Sequence, residues 1–163
     1  MATLKEYPEG NQSIVIALGD PSGIGMEVTL KALGSSELPS KMQPILVGCR
    51  KKLKQVHAQL KSQNLFPLAN PHYLEIEDLP LKGNLQCGQP SPKGGDASFD
   101  WLTKAAEIVM KGRAKALVTA PISKHAWHAA NHHYPGQTER LAELAGSNQA
   151  SMLFTAISPN NGW

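Results

Sequence analysis

Only two cysteines occur in the 163 residues, Cys49 and Cys87, and neither belongs to a metal or redox spacing. That scarcity excludes a disulfide scaffold and fits free thiols in a reducing compartment. Aromatic residues are sparse, at 6%. The one basic cluster, Arg50-Lys51-Lys52-Leu53-Lys54, has none interleaved with it and reads as a solvated helix face, not a nucleic-acid surface. The remaining charge is scattered and the net value is only +3. No apolar run approaches the roughly 18 residues of a membrane span, and residues 1–10 are too polar for a secretory signal. The expected location is therefore cytoplasmic, with neither nucleic acid nor membrane as partner. Two nucleotide signatures are missing as well. Gly19-Asp20-Pro21-Ser22-Gly23-Ile24-Gly25 does not follow the G-x-G-x-x-G spacing, and no Gly-Lys-Ser/Thr closes it as a P-loop.

What is present is an ordinary globular composition, 41% hydrophobic and 18% charged, in a chain long enough for one domain with a real core. Residues 1–12 read as a loose leader. Ser13 to Leu18 is a continuous apolar run, the mark of a strand buried on both faces. The glycine loop follows, then a helix from Glu27 to Leu33 that stops at Gly34. Pro44 to Gly48 is a second buried strand. Arg50 to Ser62 is an amphipathic helix with Leu53, Val56 and Leu60 on one side. Tyr73 to Ile76 reads as a short strand. Residues 78–96, rich in Gly, Pro, Lys and Gln, read as a long surface connection. From Ala97 a helical stripe of Phe99, Leu102, Ala106, Val109 and Met110 runs to Lys111-Gly112. Ala116 to Thr119 is the next strand, followed by helices over Lys124 to Ala130 and Thr138 to Ala145. Ala150 to Ile157 reads as a strand and 158–162 as a turn that should return the chain to a partner strand. Strand and helix alternate, so the expected class is α/β with a mainly parallel sheet and helices on both faces.

Several positions carry candidate chemistry. Glycines in the 19–25 loop let backbone approach a ligand, and helix-end N–H groups favour an anion; the alternative is a tight strand-to-helix turn in which Asp20 caps the loop. Lys124 opens a helix, where a cation is electrostatically unfavourable, so it either holds a phosphate or carboxylate or is simply solvated. Ser123 reads as the cap of that helix, and it lacks the base and acid partners of a nucleophile. His125, His128 and His132 would share a face of a continuous helix and could hold a transition metal; the alternative is a polar helix surface. Thr138 can cap the helix after Pro135-Gly136-Gln137 or bind a ligand, and Glu139 suits a first turn. Trp101, Trp127 and Trp163 read as packing residues.

Three blocks in this order are similar to a known family: Gly19 to Gly25, Ala116 to Lys124, and Tyr134-Pro135-Gly136-Gln137-Thr138-Glu139. They resemble the 4-hydroxythreonine-4-phosphate dehydrogenases of pyridoxal phosphate biosynthesis, and Gly94-Gly95 before the long helix fits too. Residues 13–163 resemble the N-terminal part of that fold, with second-domain elements expected beyond residue 163. The resemblance implies a three-layer α/β/α architecture like that of isocitrate and isopropylmalate dehydrogenases. It implies homodimers whose cleft borrows residues from the second subunit. It implies oxidation of the alcohol of 4-phosphohydroxy-L-threonine with NAD or NADP, assisted by a divalent metal (Zn, Mg or Co) that polarises the reacting oxygen. Carried onto this chain, it makes Asp20, Lys124, Gln137 and Thr138 substrate-binding residues and assigns no catalytic residue. Gln137 stands where the family has histidine and can neither carry positive charge nor transfer a proton. The family's metal-binding histidines lie downstream, and none of the six histidines here matches them, so the chain alone should not complete a turnover. The competing reading is a non-catalytic remnant or a small binding module for a phosphorylated acid.

Overall fold

Runs such as Ser-Ile-Val-Ile-Ala and Pro-Ile-Leu-Val-Gly are short, branched and uninterrupted by charge, which suits strands covered on both faces. The computed structural model describes residues 13–39, 41–63 and 66–155. Four strands, β1 (Ser13–Ala17), β2 (Gln43–Gly48), β3 (Glu75–Asp78) and β4 (Ala116–Thr119), form a wholly parallel sheet ordered β3-β2-β1-β4. Between and after them lie α1 (Gly25–Leu33), α2 (Arg50–Lys61), α3 (Pro92–Met110), α4 (Lys124–Ala129) and α5 (Gln137–Leu144). This is the α/β class that the alternation of elements predicts. No helix among the described residues is long and apolar enough to cross a membrane.

The core sits where β1 and β2 meet α3. Val15, Leu46 and Val47 are fully buried, and α3 adds Trp101, Leu102, Ala105 and Ile108 across the sheet. Each of the Val, Leu and Ile side chains among them contributes roughly 1.5–3 kcal/mol of burial energy. Trp127 of α4 is completely buried against α3. Its indole N–H donates to Ser98 Oγ at 2.8 Å and its ring meets Phe99 edge-on.

Several element ends shift by one or two residues, α1 starting at Gly25 and α5 at Gln137, and three departures have a physical reason in the structure. The third strand begins at Glu75, not Tyr73, because an Asx turn holds 70–73: Asn70 Oδ1 accepts from His72 N–H at 3.0 Å and the Asn70 carbonyl from Tyr73 N–H. The long connection ends five residues early, since α3 starts at Pro92 with Ser91 as its cap, Oγ accepting from Gly94 N–H at 3.2 Å. The segment Ser151–Thr155 is not a strand, and Met152, Leu153 and Phe154 are exposed. The leader over 1–12 and the turn over 158–162 lie outside the described residues.

The chain runs β1, β2, β3 in one direction across the sheet and then returns to place β4 on the far side of β1. The order therefore reverses between β1 and β4. In open α/β sheets the loops leaving such a pair of strands diverge and frame a crevice beyond their carboxyl ends.

Candidate functional site

The crevice is built from the glycine loop after β1 and the segment Ala120–Ser123 after β4. Apolar β1 is central, so its exit loop is pinned on both sides. Asp20 N–H donates to the Pro121 carbonyl at 2.9 Å, joining the two loops. Gly19 has φ +70, and a Cβ there would lie 2.3 Å from that same carbonyl oxygen. No other residue type fits this approach. The Asp20 side chain is 5% exposed and turns inward: its Oδ1 accepts from Ser22 N–H at 2.8 Å. The carboxylate faces the start of α3, 3.3 Å from where a Cβ on Gly94 would stand. Ser22 is also buried. Its carbonyl accepts from Gly88 N–H at 2.7 Å, which ties the long connection to the loop, while its Oγ has no hydrogen-bond partner.

On the other flank, α4 begins at Lys124 behind the Ser123 cap, whose Oγ accepts from Ala126 N–H at 3.2 Å. Lys124 is exposed and makes no ion pair among the described residues. Its Nζ lies 3.8 Å from the position a Cβ on Gly136 would take. Gly136 is the extended residue that opens α5, and no side chain caps that helix. A lysine ammonium thus stands beside helix N–H groups without intrahelical partners, two features that favour an anion. Gln137 reaches back to β4, its Nε2 donating to the Ala120 carbonyl at 3.4 Å, while its Oε1 is buried and unpartnered.

Asp20, Pro121, Ala120, Gln137, Gly136 and Lys124 are therefore consecutive neighbours along one rim. Thr138, next on α5, lines a separate open hollow of about 470 Å³ with Glu139, Ala142, Glu143, Ser147 and Asn148. The histidines do not share one face as a continuous helix would make them. α4 ends at Ala129 and Asn131 takes a positive φ of 63. His132 is thereby carried onto α3, with Nε2 2.8 Å from Asp96 Oδ1 and its ring stacked 3.8 Å from Phe99. His128 instead meets the Tyr134 carbonyl at 3.2 Å. No three His, Cys, Asp or Glu side chains converge as metal ligands among the described residues.

Sequence reasoning missed what fixes α5. Arg140 lies over the Phe99 ring at 4.6 Å and bonds Thr103 Oγ1 at 3.2 Å, and its other nitrogen meets Glu143 Oε2 at 3.1 Å. The Tyr134 hydroxyl donates to the same Glu143 oxygen. That bond, with burial second, raises the Tyr134 phenol above its ordinary value, while Arg140 opposes the shift. The bonds from Tyr134 and then Arg140 hold the Glu143 carboxyl below its ordinary value. The i,i+3 pair Arg140–Glu143 was a readable signal; the reach to Phe99 and Thr103 on α3 was not.

The chain is similar to known proteins along most of its length. Residues 39–158 match the family model described as pyridoxal phosphate biosynthetic protein PdxA. A 4-hydroxythreonine-4-phosphate dehydrogenase of Synechococcus sp. (strain RCC307) is 58% identical over 150 residues, 92% of this chain and 45% of that protein. One of Synechocystis sp. (strain ATCC 27184 / PCC 6803 / Kazusa) is 43% identical over 153 residues, again 92% of this chain and 44% of that protein. The crystal structure of a 4-hydroxythreonine-4-phosphate dehydrogenase from Burkholderia phymatum superposes with a TM-score of 0.78 at 31% identity, over 90% of this chain and 47% of that one. The chain thus spans somewhat under half the length of the relatives it matches. With a model match over most of its length and a parallel sheet shared with solved members, the chain belongs to the PdxA family of pyridoxal phosphate biosynthetic proteins.

Proposed function

We propose that the chain forms the N-terminal half of a cytoplasmic, homodimeric dehydrogenase that oxidises 4-phosphohydroxy-L-threonine with NAD or NADP and a divalent metal. The observation that carries this reading is the β1–β4 reversal point. Its two exit loops are joined by the Asp20–Pro121 hydrogen bond, and Lys124 stands beside the uncapped start of α5.

In this reading Lys124 and the first N–H groups of α5 hold the substrate phosphate. Thr138, in the same first turn, contributes its backbone N–H to that group, while its side chain lines the separate hollow with Glu139. The buried Gln137 Oε1 accepts a hydrogen bond from a substrate hydroxyl or ammonium group, because an acceptor left unpaired there costs about 1–3 kcal/mol. Asp20 and Ser22 keep the β1 loop closed over the start of α3, excluding water from that side. A nicotinamide would supply a hydride acceptor, and a divalent metal would supply Lewis-acid polarisation of the substrate oxygen. The described residues offer neither a converging ligand set nor a G-x-G-x-x-G loop, so no step here passes through either group.

Calorimetric titration of the chain with 4-phosphohydroxy-L-threonine, its dephosphorylated form and inorganic phosphate tests the reading. We expect binding of the two phosphorylated ligands only, weakened about 10-fold or more by Lys124→Ala, in line with the 1.5–3 kcal/mol of a charged hydrogen bond. Equal affinity of the Lys124→Ala protein for phosphate would place the anion elsewhere. The second reading, a non-catalytic module for a phosphorylated acid, is favoured by Gln137, a residue without proton-transfer capacity at the rim. It separates from the first by binding that persists without turnover in a full-length protein.

A further inference from the structure

The fold buries the Ser22 hydroxyl and leaves it unused. Ser22 is 2% exposed, and its Oγ has no hydrogen-bond partner among the described residues. Such a group is destabilising, because water satisfies it in the unfolded chain. It does not stand alone. The place a Cβ on Gly94 would take lies 3.3 Å from Asp20 Oδ1, 3.4 Å from Ser91 Oγ and 3.6 Å from Ser22 Oγ. Three side-chain oxygens from two loops therefore face one point at the start of α3, and glycine leaves that point without a side chain. Pro92 carries no N–H, so the first N–H at that end of the helix belongs to Lys93 and has no intrahelical acceptor. The set is mixed in character. Ser22 Oγ both donates and accepts. Ser91 Oγ accepts from Gly94 N–H and keeps its own proton to donate, while the Asp20 carboxylate only accepts. A second anion is repelled there by Asp20. A cation is opposed by the positive end of α3. A neutral alcohol, which donates with its proton and accepts with its lone pairs, matches both halves of the set.

We infer that Ser22, Ser91 and Asp20 form a subsite at the start of α3 for one alcohol hydroxyl of a bound ligand, with the connection before α3 as its cover. Residues 86–90 of that connection are exposed, and the Gly88 N–H fastens them over the serine through its bond to the Ser22 carbonyl at 2.7 Å. Releasing that bond uncovers the hydroxyl while β1 and α3 stay in place. The subsite lies at the Asp20 end of the rim and Lys124 at the other, so a phosphate and a hydroxyl are held at opposite ends. Two ligands of the proposed dehydrogenase carry such a hydroxyl: 4-phosphohydroxy-L-threonine in its alcohol and the nicotinamide nucleotide in its ribose. The choice of these ligands rests on that reading; the subsite itself rests on the oxygens around Gly94.

The first test needs no ligand. Ser22→Ala should raise the melting temperature of the 163-residue chain by about 2 °C or more, because it removes an unpaired buried hydroxyl. An unchanged or lower value would mean that a trapped water already serves the hydroxyl in the free protein, and would overturn the inference. The second test is calorimetric titration of the chain joined to the remaining portion of the Synechococcus sp. (strain RCC307) relative. We expect Ser22→Ala and Gly94→Ala each to weaken binding about 5–10-fold, the latter because its methyl group fills the point that the three oxygens face. A loss confined to NAD and NADP assigns the ribose. A loss with 4-phosphohydroxy-L-threonine, but not with O-phospho-L-homoserine, which lacks the alcohol, assigns the substrate. Neither variant should alter the binding of inorganic phosphate. Unaltered affinity for the nucleotides and the substrate alike would remove the subsite, as would an equal loss for the substrate and O-phospho-L-homoserine. Should Lys124→Ala leave phosphate binding intact while Ser22→Ala weakens either ligand, the phosphate assignment falls and the hydroxyl subsite stands.

Discussion

Gly95 shows how much a single hydrogen atom in place of a side chain can matter. It lies inside α3, where glycine weakens a helix by about 1 kcal/mol relative to alanine. The cost is accepted because α4 crosses there: a Cβ would stand 2.0 Å from the Ala126 carbonyl oxygen, a backbone atom with nowhere to go. Gly95→Ala should therefore destabilise the chain by about 1–3 kcal/mol despite the better helix former, as overpacking does. Urea unfolding followed by the emission of buried Trp101 and Trp127 measures this, and a stabilised variant would refute it. Gln137 is the second residue with a consequence of its own. In a protein completed by a second half, Gln137→His should tighten binding of the phosphorylated substrate below about pH 6.5, where imidazole is charged beside Lys124, and the gain should fade above it. Affinities measured at pH 5.5 and 8 decide this, and no difference between them would remove residue 137 from the ligand. Both residues were visible as letters in a motif. Only the crossing of α4 over α3 gave Gly95 its reason, and only the Ala120 carbonyl revealed which end of the Gln137 amide is left open.

Among the elements, α5 is the most weakly held. None of its residues is buried, and it is attached to α3 through Arg140 and to the preceding turn through Tyr134 and Glu143. The pH dependence follows from the two shifts. Glu143 is lowered in the fold, so its contribution is present above the unfolded value of about 4.3 and is lost as pH falls through the folded value. Tyr134 is raised, so its contribution is present below about 10 and is lost as pH rises through the folded value. α5 should be best protected between these limits, and Tyr134→Phe should narrow the protection at both ends while leaving Lys124 and β4 in place. Exchange rates of the α5 amides, normalised to those of the unfolded chain and followed from about pH 3 to about pH 11, are the measurement; protection that stays level to both extremes in the wild-type chain would contradict it. The other elements were largely legible because their signals are local: branched apolar runs for β1, β2 and β4, and three-and-four spacing for α2 and α3. Boundaries failed where a side chain two or three residues away decided them, as at Asn70 and Ser91. The histidine face failed because one positive φ at Asn131 ends the helix that the spacing assumed.

At the scale of the molecule, the parallel class and the exit loops could be read from strand–helix alternation, but the strand order could not. Nothing in the letters of β4 says that it lies beside β1 and not β3, yet that placement creates the crevice on which the proposed function depends. If the rest of the family's length supplies the remaining groups, the 163-residue chain alone should give no NAD(P) reduction with 4-phosphohydroxy-L-threonine and a divalent metal, whereas the chain joined to a relative's second half should. Absorbance at 340 nm reports the reduced nicotinamide in both cases, and turnover by the shorter protein would show that the residues here suffice.

The position of β1 also bears on synthesis at the ribosome. Its first neighbour, β2, is translated soon after it, but Ile14 waits for Ala116, roughly 100 residues further on, before its other side is paired. At about 5–20 residues per second that interval lasts on the order of 5–20 s. Throughout it, the most apolar strand of the nascent chain has one side bare and depends on whatever holds newly made polypeptides apart.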